Sequence, residues 1–297
     1  MSDENSLLKE KIKDLEEQLQ KKSEELEHYR LEINQTNKQL ERIIAQINHE
    51  VQMASQIQKI LSPTEIPRIQ GFDFSTKFLP GTQSGGDYFD IFEHEDKMKF
   101  GMVLSSCSGY TMSALFLSIL IKISSKVEAR KGLEPHQMLS LIGKEMISQM
   151  QAKDQVSLFY GIVDKRSYEF KYSSLGNIQA YLQVFGQDAL VSLDSCGPRL
   201  NKDFNTEPQS MTVQLNPRDR WVICSDGLLQ ETNAQNQIYG LERFKESIVS
   251  APKQGVHELR NEILYRVEKH TGRVDPLRDS TVIVVEVKDR VIKLARQ

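Results

Sequence analysis

An apolar seam with a seven-residue repeat runs along the first sixty residues, which contain no glycine or proline and are dense in Glu, Lys, Gln and Leu. A repeat of about 3.5 residues sustained over this length predicts a left-handed supercoil with a partner helix. We therefore predict a parallel homodimer through residues 8–61, with an antiparallel pair and a solitary charged helix as the alternatives. One seam position carries Ile12, Leu19, Leu26, Ile33, Leu40, Ile47, Ala54 and Leu61, and the other carries Leu8, Leu15, Lys22, Tyr29, Thr36, Ile43, Glu50 and Ile57.

The seam continues to Leu61 without a linker, and Ser62-Pro63 then ends the helix because proline cannot continue it. The predicted domains are a coiled-coil dimerisation helix over residues 1–63 and a globular domain over residues 64–297. Since the helix leads directly into the globular part, we expect a change in helix packing to be transmitted to that domain.

From about residue 64 the pattern changes to strands and pairs of helices. The order of strands, two helices, strands, two helices and a final strand differs from the strict alternation of a parallel βαβ fold. It predicts an α/β (α+β) sandwich, with two largely antiparallel sheets flanked by helix pairs. The apolar periodicities predict strands at 72–78, 88–92, 97–104, 156–164, 167–174, 178–184, 220–224 and 280–287, and helices at 112–130, 135–150, 241–250 and 256–270.

Composition excludes several classes of protein. A net charge of −3 over 297 residues lacks the basic excess of a nucleic-acid binder. No apolar run approaches the roughly 20 residues of a membrane span, and the acidic N-terminus does not resemble a signal peptide. The three cysteines, Cys107, Cys196 and Cys224, are too few and too far apart for a disulfide framework. We expect a reduced, soluble, cytoplasmic protein that binds neither nucleic acid nor membrane.

The candidate chemistry begins at Ser84-Gly85-Gly86-Asp87-Tyr88-Phe89-Asp90. The two glycines allow a sharp turn and a close approach of another group, and the aspartate follows at the start of a strand. The same letters also fit an ordinary hairpin turn. A second acid, Asp226, follows the buried strand 220–224 in Ser225-Asp226-Gly227.

Five short motifs, taken in their order along the chain, resemble those of the bacterial PPM-type (PP2C-like) protein phosphatases of the SpoIIE/RsbU group. The similarity covers about Ala54 to Val287. It implies two stacked antiparallel sheets with helix pairs outside, and two Mg²⁺ or Mn²⁺ ions held by aspartates at one edge. Such ions would activate a water that attacks a phosphoserine or phosphothreonine. The motifs are residues 56–63, residues 85–90, Gly197-Pro198, Ser225-Asp226-Gly227-Leu228 with Glu231 and Tyr239-Gly240, and residues 279–285.

By this resemblance, two of the family's metal-ligand positions are retained here, as Asp87 and Asp226. The central motif, Asp-x-Ser-Gly-His-Gly in the family, reads Ser106-Cys107-Ser108-Gly109-Tyr110-Thr111 here. Gly109 keeps the motif backbone, but a neutral serine stands where the family has the aspartate that bridges both ions. The degenerate positions of this motif are Ser106, Tyr110 and Thr111.

The closing motif, Asp-Asp-x-Thr in the family, reads Arg278-Asp279-Ser280-Thr281, so an arginine stands at a ligand position. A guanidinium stays charged at any working pH. Beside a divalent ion it would repel, and beside Asp226 it would pair and take the place of the ion. Asp279 is a candidate substitute ligand, although neighbours on a strand point to opposite faces.

The remaining departures concern a turn and two further acids. The family's Ala-Gly-His turn reads Leu175-Gly176-Asn177 here. Asp90 and Glu231, the acids near the motifs, are interpreted as surface carboxylates. Losing the bridging acid while gaining a cation predicts that a two-metal site no longer forms.

These observations predict a coiled-coil-dimerised pseudophosphatase that requires no metal and regulates a partner by binding it. The resemblance points to a STAS-like anti-sigma factor antagonist, or its phosphoserine form, as that partner. The alternative is an active serine/threonine phosphatase with a rearranged Mn²⁺ or Mg²⁺ site, working in a partner-switching pathway. A purely structural role is disfavoured because Asp87 and Asp226 keep the family's setting.

Overall fold

The computed structural model describes residues 2–61, 66–81, 86–109, 111–128, 132–187 and 189–288. The chain divides into two compact units, Met1–Met53 and Ala54–Gln297. The helices are α1 Ser2–Leu61, α2 Thr111–Glu128, α3 Pro135–Ile147, α4 Asp226–Leu229, α5 Gly240–Ser250 and α6 Val256–Thr271. The strands are β1 Phe72–Leu79, β2 Gly86–Glu93, β3 Lys99–Ser108, β4 Gln155–Asp164, β5 Glu169–Leu175, β6 Gln179–Gln183, β7 Leu190–Ser192, β8 Met211–Gln214, β9 Arg220–Cys224 and β10 Ser280–Val287.

Helix α1 exposes the apolar seam that the sequence indicates. The side chains of Leu19, Leu26 and Ile33 are 75%, 68% and 59% exposed. A helix in water gains most of its stability by burying such a stripe. The predicted long helix is confirmed, whereas its pairing with a second chain stays a prediction. No helix among the described residues is long and apolar enough to cross a membrane.

The strands form two five-stranded sheets, and every neighbouring pair is antiparallel. The strand order is β1-β10-β9-β6-β7 in the first sheet and β2-β3-β4-β5-β8 in the second. The two-sheet antiparallel architecture predicted from the order of elements is therefore confirmed.

The apolar faces of both sheets meet in an aromatic core, which includes Phe100, Phe170 and Trp221, all fully buried. A second core lies between the second sheet and the helix pair α2 and α3. A third lies between the first sheet and the pair α5 and α6. Both sheets thus bury two faces, and the predicted helix pairs cover the outside of the sandwich.

Strand β3 continues four residues beyond the predicted end at 104. It pairs with β4 as far as Ser108 opposite Gln155, so Ser106 and Cys107 lie inside the strand and not in a loop after it. The small polar residues of this stretch give no apolar alternation, and the ladder with β4 holds them extended instead. The short strands β7 and β8 and the one-turn helix α4 were also absent from the prediction, because each is too short for a periodic signal.

Candidate functional site

The acidic motifs converge at one edge of the sandwich, where strands of both sheets begin or end. Asp87, at the start of β2, lies opposite Ser106 of β3 in the second sheet. The end of β9 and the start of β10 bring Ser225 and Thr281 from the first sheet to the same edge, with Ser225 N–H donating to the Thr281 carbonyl at 3.1 Å. The packing of the two sheets thus brings together residues that are nearly 200 positions apart in sequence, such as Asp87 and Thr281.

The carboxyl group of Asp87 is buried in a cluster of three hydroxyls, those of Ser106, Ser225 and Thr281. Thr281 Oγ1 donates to Asp87 Oδ2 at 2.9 Å, and the other two hydroxyls also hydrogen-bond to this carboxyl group. Burial and, after it, the neighbouring carboxylate of Asp279 raise the pKa of Asp87 to about 8, although the hydrogen bonds from the hydroxyls oppose the shift. The site therefore favours a protonated Asp87 at neutral pH.

Asp279 lies beside Asp87, but its oxygens are used by backbone amides. Oδ1 accepts the Gly81 N–H at 2.8 Å, and Oδ2 accepts the Asp87 N–H at 3.2 Å. The carboxylate is buried, with 4% of the residue exposed. It holds the connection between β1 and β2 against the start of β10, so its role as a substitute metal ligand stays a prediction.

Asp226 forms an ion pair with Arg199, a residue that the sequence analysis did not single out. Arg199 Nη2 donates to Asp226 Oδ2, while Arg199 Nη1 donates to Gln155 Oε1 at 3.0 Å. The two charged side chains are only 28% and 17% exposed, so water screens the pair incompletely. The only sequence signal for Arg199 is its place directly after Gly197-Pro198.

Gly176 makes room for that arginine. It has a left-handed φ of +82°, and a Cβ at this position would lie 2.7 Å from Arg199 Cγ. Any larger residue would displace the aliphatic part of the arginine. The turn Leu175-Gly176-Asn177 therefore directs Arg199 towards Asp226.

The expected pairing of Arg278 with Asp226 is wrong. The Arg278 side chain is exposed, and no carboxylate among the described residues forms an ion pair with it. Arg278 lies in the bend before β10, where its side chain is exposed while that of the next residue, Asp279, is buried. Arg199 occupies Asp226 in its place.

The interpretation of Glu231 as a surface carboxylate is also wrong, since only 1% of the residue is exposed. Its Oε1 accepts the N–H groups of Leu277 and Arg278 at 2.8 and 3.1 Å, and Oε2 pairs with Arg273 at 3.3 Å. A lone acid in a polar segment gives no sequence signal for such a role. Glu231 fixes the backbone of the segment that leads into β10.

Asp90 is half-buried, so it too differs from the predicted surface carboxylate. Its oxygens accept the Ile91 N–H at 2.9 Å and the Tyr88 hydroxyl at 3.2 Å. Burial raises the pKa of Asp90, and these hydrogen bonds oppose the shift. The Asp90 carboxylate therefore forms its hydrogen bonds with neighbouring residues of its own strand, β2.

A buried acid that the sequence analysis did not single out, Asp154, lies against Gly109 of the central motif. Asp154 is fully buried and accepts hydrogen bonds from Ser113 Oγ at 2.5 Å and from the Gln151 N–H at 2.7 Å. A Cβ on Gly109, whose φ is +145°, would lie 2.3 Å from Asp154 Oδ1. Thr111 begins α2, while Ser84, Gly85 and Tyr110 lie outside the described residues.

The residues at this edge, as arranged, do not fit a pair of divalent cations. Hard cations require several negatively charged or carbonyl oxygens, and within the described ranges no group of three or more His, Cys, Asp or Glu could hold a metal ion. Of the four positions that the resemblance marks as ligands, Ser106 is neutral, Arg278 is cationic and Asp226 is bound to a guanidinium. Asp87 alone remains, enclosed by hydroxyls.

Comparisons with known proteins agree with this fold. The family model of stage II sporulation protein E (SpoIIE) matches residues 96–288. Phosphoserine phosphatase RsbU of Bacillus subtilis is 21% identical over 196 residues, which cover 66% of this chain and 58% of that protein. This chain therefore aligns with less than two thirds of the relative's length.

Solved structures show the same architecture. The SiaA-PP2C domain of Pseudomonas aeruginosa superposes with a TM-score of 0.68 at 18% identity, covering 82% of this chain and 98% of that domain. RsbX in complex with magnesium superposes with a TM-score of 0.56 at 14% identity, covering 75% of this chain and 99% of that one. The match of the family model, over more than half of the chain and on the expected two-sheet fold, shows that this protein belongs to the SpoIIE family of PPM-type (PP2C-like) phosphatases.

Proposed function

We propose that this chain is a regulatory pseudophosphatase of the SpoIIE family, which acts by binding a partner protein and needs no metal. The ion pair between Arg199 and Asp226 is the observation that carries this proposal. It places a permanent positive charge on a carboxylate that, by the family resemblance, would hold a metal ion. A second cation, Arg278, stands at another such position.

The charges at this edge disfavour a pair of divalent cations. Two divalent ions bring four positive charges, and a two-metal site places carboxylates around them to offset that charge. Here the bridging position is the neutral Ser106, and the guanidiniums of Arg199 and Arg278 keep their charge at any working pH. A metal would have to displace Arg199 from its partly desolvated pair with Asp226, which would leave that guanidinium without its counter-charge.

An active phosphatase with a rearranged Mn²⁺ or Mg²⁺ site is the second candidate, and one observation favours it. The carboxyl groups of Asp87 and Asp279 are close enough for Asp279 to raise the pKa of Asp87. Two neighbouring carboxylates attract a cation, and Asp279 is the acid nearest to the lost ligand position. In that enzyme the Asp279 carboxylate would give up its hydrogen bonds to the backbone N–H groups of Gly81 and Asp87 and bind a metal ion.

The partner and assembly are part of the proposal. The exposed seam of α1 supports pairing of two chains through residues 8–61, because an exposed apolar stripe of this length otherwise stays in water. By family resemblance, the partner bound by the globular unit is a STAS-like anti-sigma factor antagonist or its phosphoserine form. A cytoplasmic location, and a coiled-coil helix over 1–63 followed by a phosphatase-like domain over 64–297, complete the proposal.

Hydrolysis of an aryl phosphate in excess Mn²⁺, compared between the purified protein and its Asp226→Asn variant, tests this proposal. We expect no turnover by the folded protein above that of the variant. Turnover that requires both Mn²⁺ and Asp226 would refute the pseudophosphatase and support the active enzyme. Calorimetric titration with Mn²⁺ gives a second readout, in which we expect no saturable heat at this site.

A further inference from the structure

A small cavity lies at the opposite end of β9 from Asp226. Its volume is about 180 Å³, below the roughly 300–1,000 Å³ of sites for drug-sized ligands. Three connections contribute to its walls: the one after β6 with Phe185, the turn before β9 with Arg218, and the α5–α6 connection with Lys253. The two ends of the five-residue strand β9 are about 13 Å apart, so this cavity is separate from the acidic edge.

A buried guanidinium forms part of the cavity lining. Arg220 is only 1% exposed. Its Nε and Nη2 donate to the Gln183 side-chain oxygen at 3.1 and 2.6 Å, and its Nη1 donates to the Gly255 carbonyl at 3.0 Å. These acceptors are neutral, and no carboxylate of the described residues is in ion-pair contact with Arg220. Burial lowers the pKa of Arg220, while the carboxylates of Glu286 and Glu258 oppose the shift from a longer distance. Since a guanidinium has five N–H donors and buried charges are normally paired, Arg220 retains donors for an anion.

The cavity lining carries an excess of positive charge. Arg218, Arg220 and Lys253 all line it, and none of the described residues in the lining is acidic. Cations around a partly enclosed cavity raise the local concentration of anions. A guanidinium also forms two parallel hydrogen bonds with a carboxylate. The lining therefore favours an oxyanion as the ligand.

An aromatic wall stands beside these cations. The guanidinium carbon of Arg218 lies 5.0 Å from the centre of the Phe185 ring, and Val184 also lines the cavity. Arg218 has a left-handed φ of +69°, and its N–H donates to the Val287 carbonyl at 2.7 Å. Non-glycine residues held in this conformation cluster at ligand sites. Apolar side chains next to fixed cations favour an organic anion over an inorganic one.

We propose that this cavity binds a small carboxylate that carries a short apolar or aromatic group. Arg220 and Lys253 offer N–H donors and positive charge to the carboxylate, and Phe185 packs against the apolar group. The inference does not depend on whether the acidic edge at the other end of β9 binds a metal ion.

Calorimetric titration of the full chain with benzoate tests this proposal, with benzamide as a neutral ligand of the same shape. We expect saturable binding of benzoate and none of benzamide, because only benzoate carries the charge. Lys253→Ala and Phe185→Ala should each weaken benzoate binding by about fivefold or more, since one removes a cation and the other removes the aromatic wall. Lys202→Ala, at an exposed position outside the cavity, is the matched control and should bind benzoate as the wild type does.

Inorganic phosphate separates an organic carboxylate from oxyanions in general. We expect phosphate to bind about fivefold or more weakly than benzoate in the wild type, because it cannot use the aromatic wall. Equal benzoate affinity in the wild type, Lys253→Ala and Phe185→Ala proteins would overturn the site. Binding of benzamide or of phosphate as tightly as benzoate would also overturn it, as would a folded wild-type protein that shows no saturable binding of benzoate. The far-ultraviolet circular dichroism of each variant verifies that it is folded.

Discussion

The buried carboxyl group of Asp87 makes stability depend on pH in a way that a metal site would not. Replacing it by asparagine keeps the shape and removes the titration. In the folded protein the pKa of Asp87 is raised from 3.8 to about 8, so between these values the folded protein holds a proton that the unfolded chain has released. Raising the pH therefore favours unfolding, and the stability present below about pH 4 is lost as pH rises to about 8.

The magnitude follows from proton linkage. One proton held by the folded state alone lowers the free energy of unfolding by about 1.4 kcal/mol per pH unit. Between pH 6.0 and pH 7.5 the wild-type protein should therefore lose about 2 kcal/mol through this group. The Asp87→Asn variant should lose that much less over the same interval.

Urea unfolding in EDTA at the two pH values, followed by fluorescence, measures this difference. Trp221 is the only tryptophan of the chain and is fully buried between the sheets, so its emission reports on the globular unit. Asp203→Asn, at an exposed position, is the control and should keep the wild-type pH dependence. Equal pH dependence in the wild type and Asp87→Asn would refute the reasoning.

Three further changes test the supports of the site and the assembly. Glu231→Ala removes the buried acceptor of two backbone N–H groups and of the Arg273 guanidinium, so denaturant titration should show a loss of about 2 kcal/mol; a loss below about 0.5 kcal/mol would contradict this role. Gly109→Ala places a methyl group against the Asp154 carboxylate at a left-handed φ, and its thermal midpoint should fall by several degrees, as expected for about 1–3 kcal/mol. Leu26→Lys in the α1 seam should raise the dimer dissociation constant in analytical ultracentrifugation at least tenfold, whereas Leu31→Lys, an equally apolar exposed change outside the seam, should not. Equal effects of the two leucine changes would argue against the predicted pairing.

The local periodicity of the sequence determined the elements of this fold. Alternating apolar positions located β1, continuous apolar runs located β9 and β10, and the seven-residue repeat located α1, because these patterns reflect which faces of each element are apolar. The order of elements then predicted the antiparallel sandwich. Where the pattern lacked apolar residues, as in the polar end of β3, only the ladder with β4 decided the conformation.

The motifs likewise located most of the site from the sequence, and the tertiary structure decided its chemistry. Asp87 and Asp226 were recognisable by their setting, but the sequence offered Arg278 as the partner of Asp226. The partner is Arg199, 27 residues from Asp226 and directed there by the space over Gly176. The sequence suggested that Glu231 is a surface acid, but in the folded protein the segment before β10 covers it. Pairing between distant side chains depends on where loops place them, and periodicity along the chain contains no information about that placement.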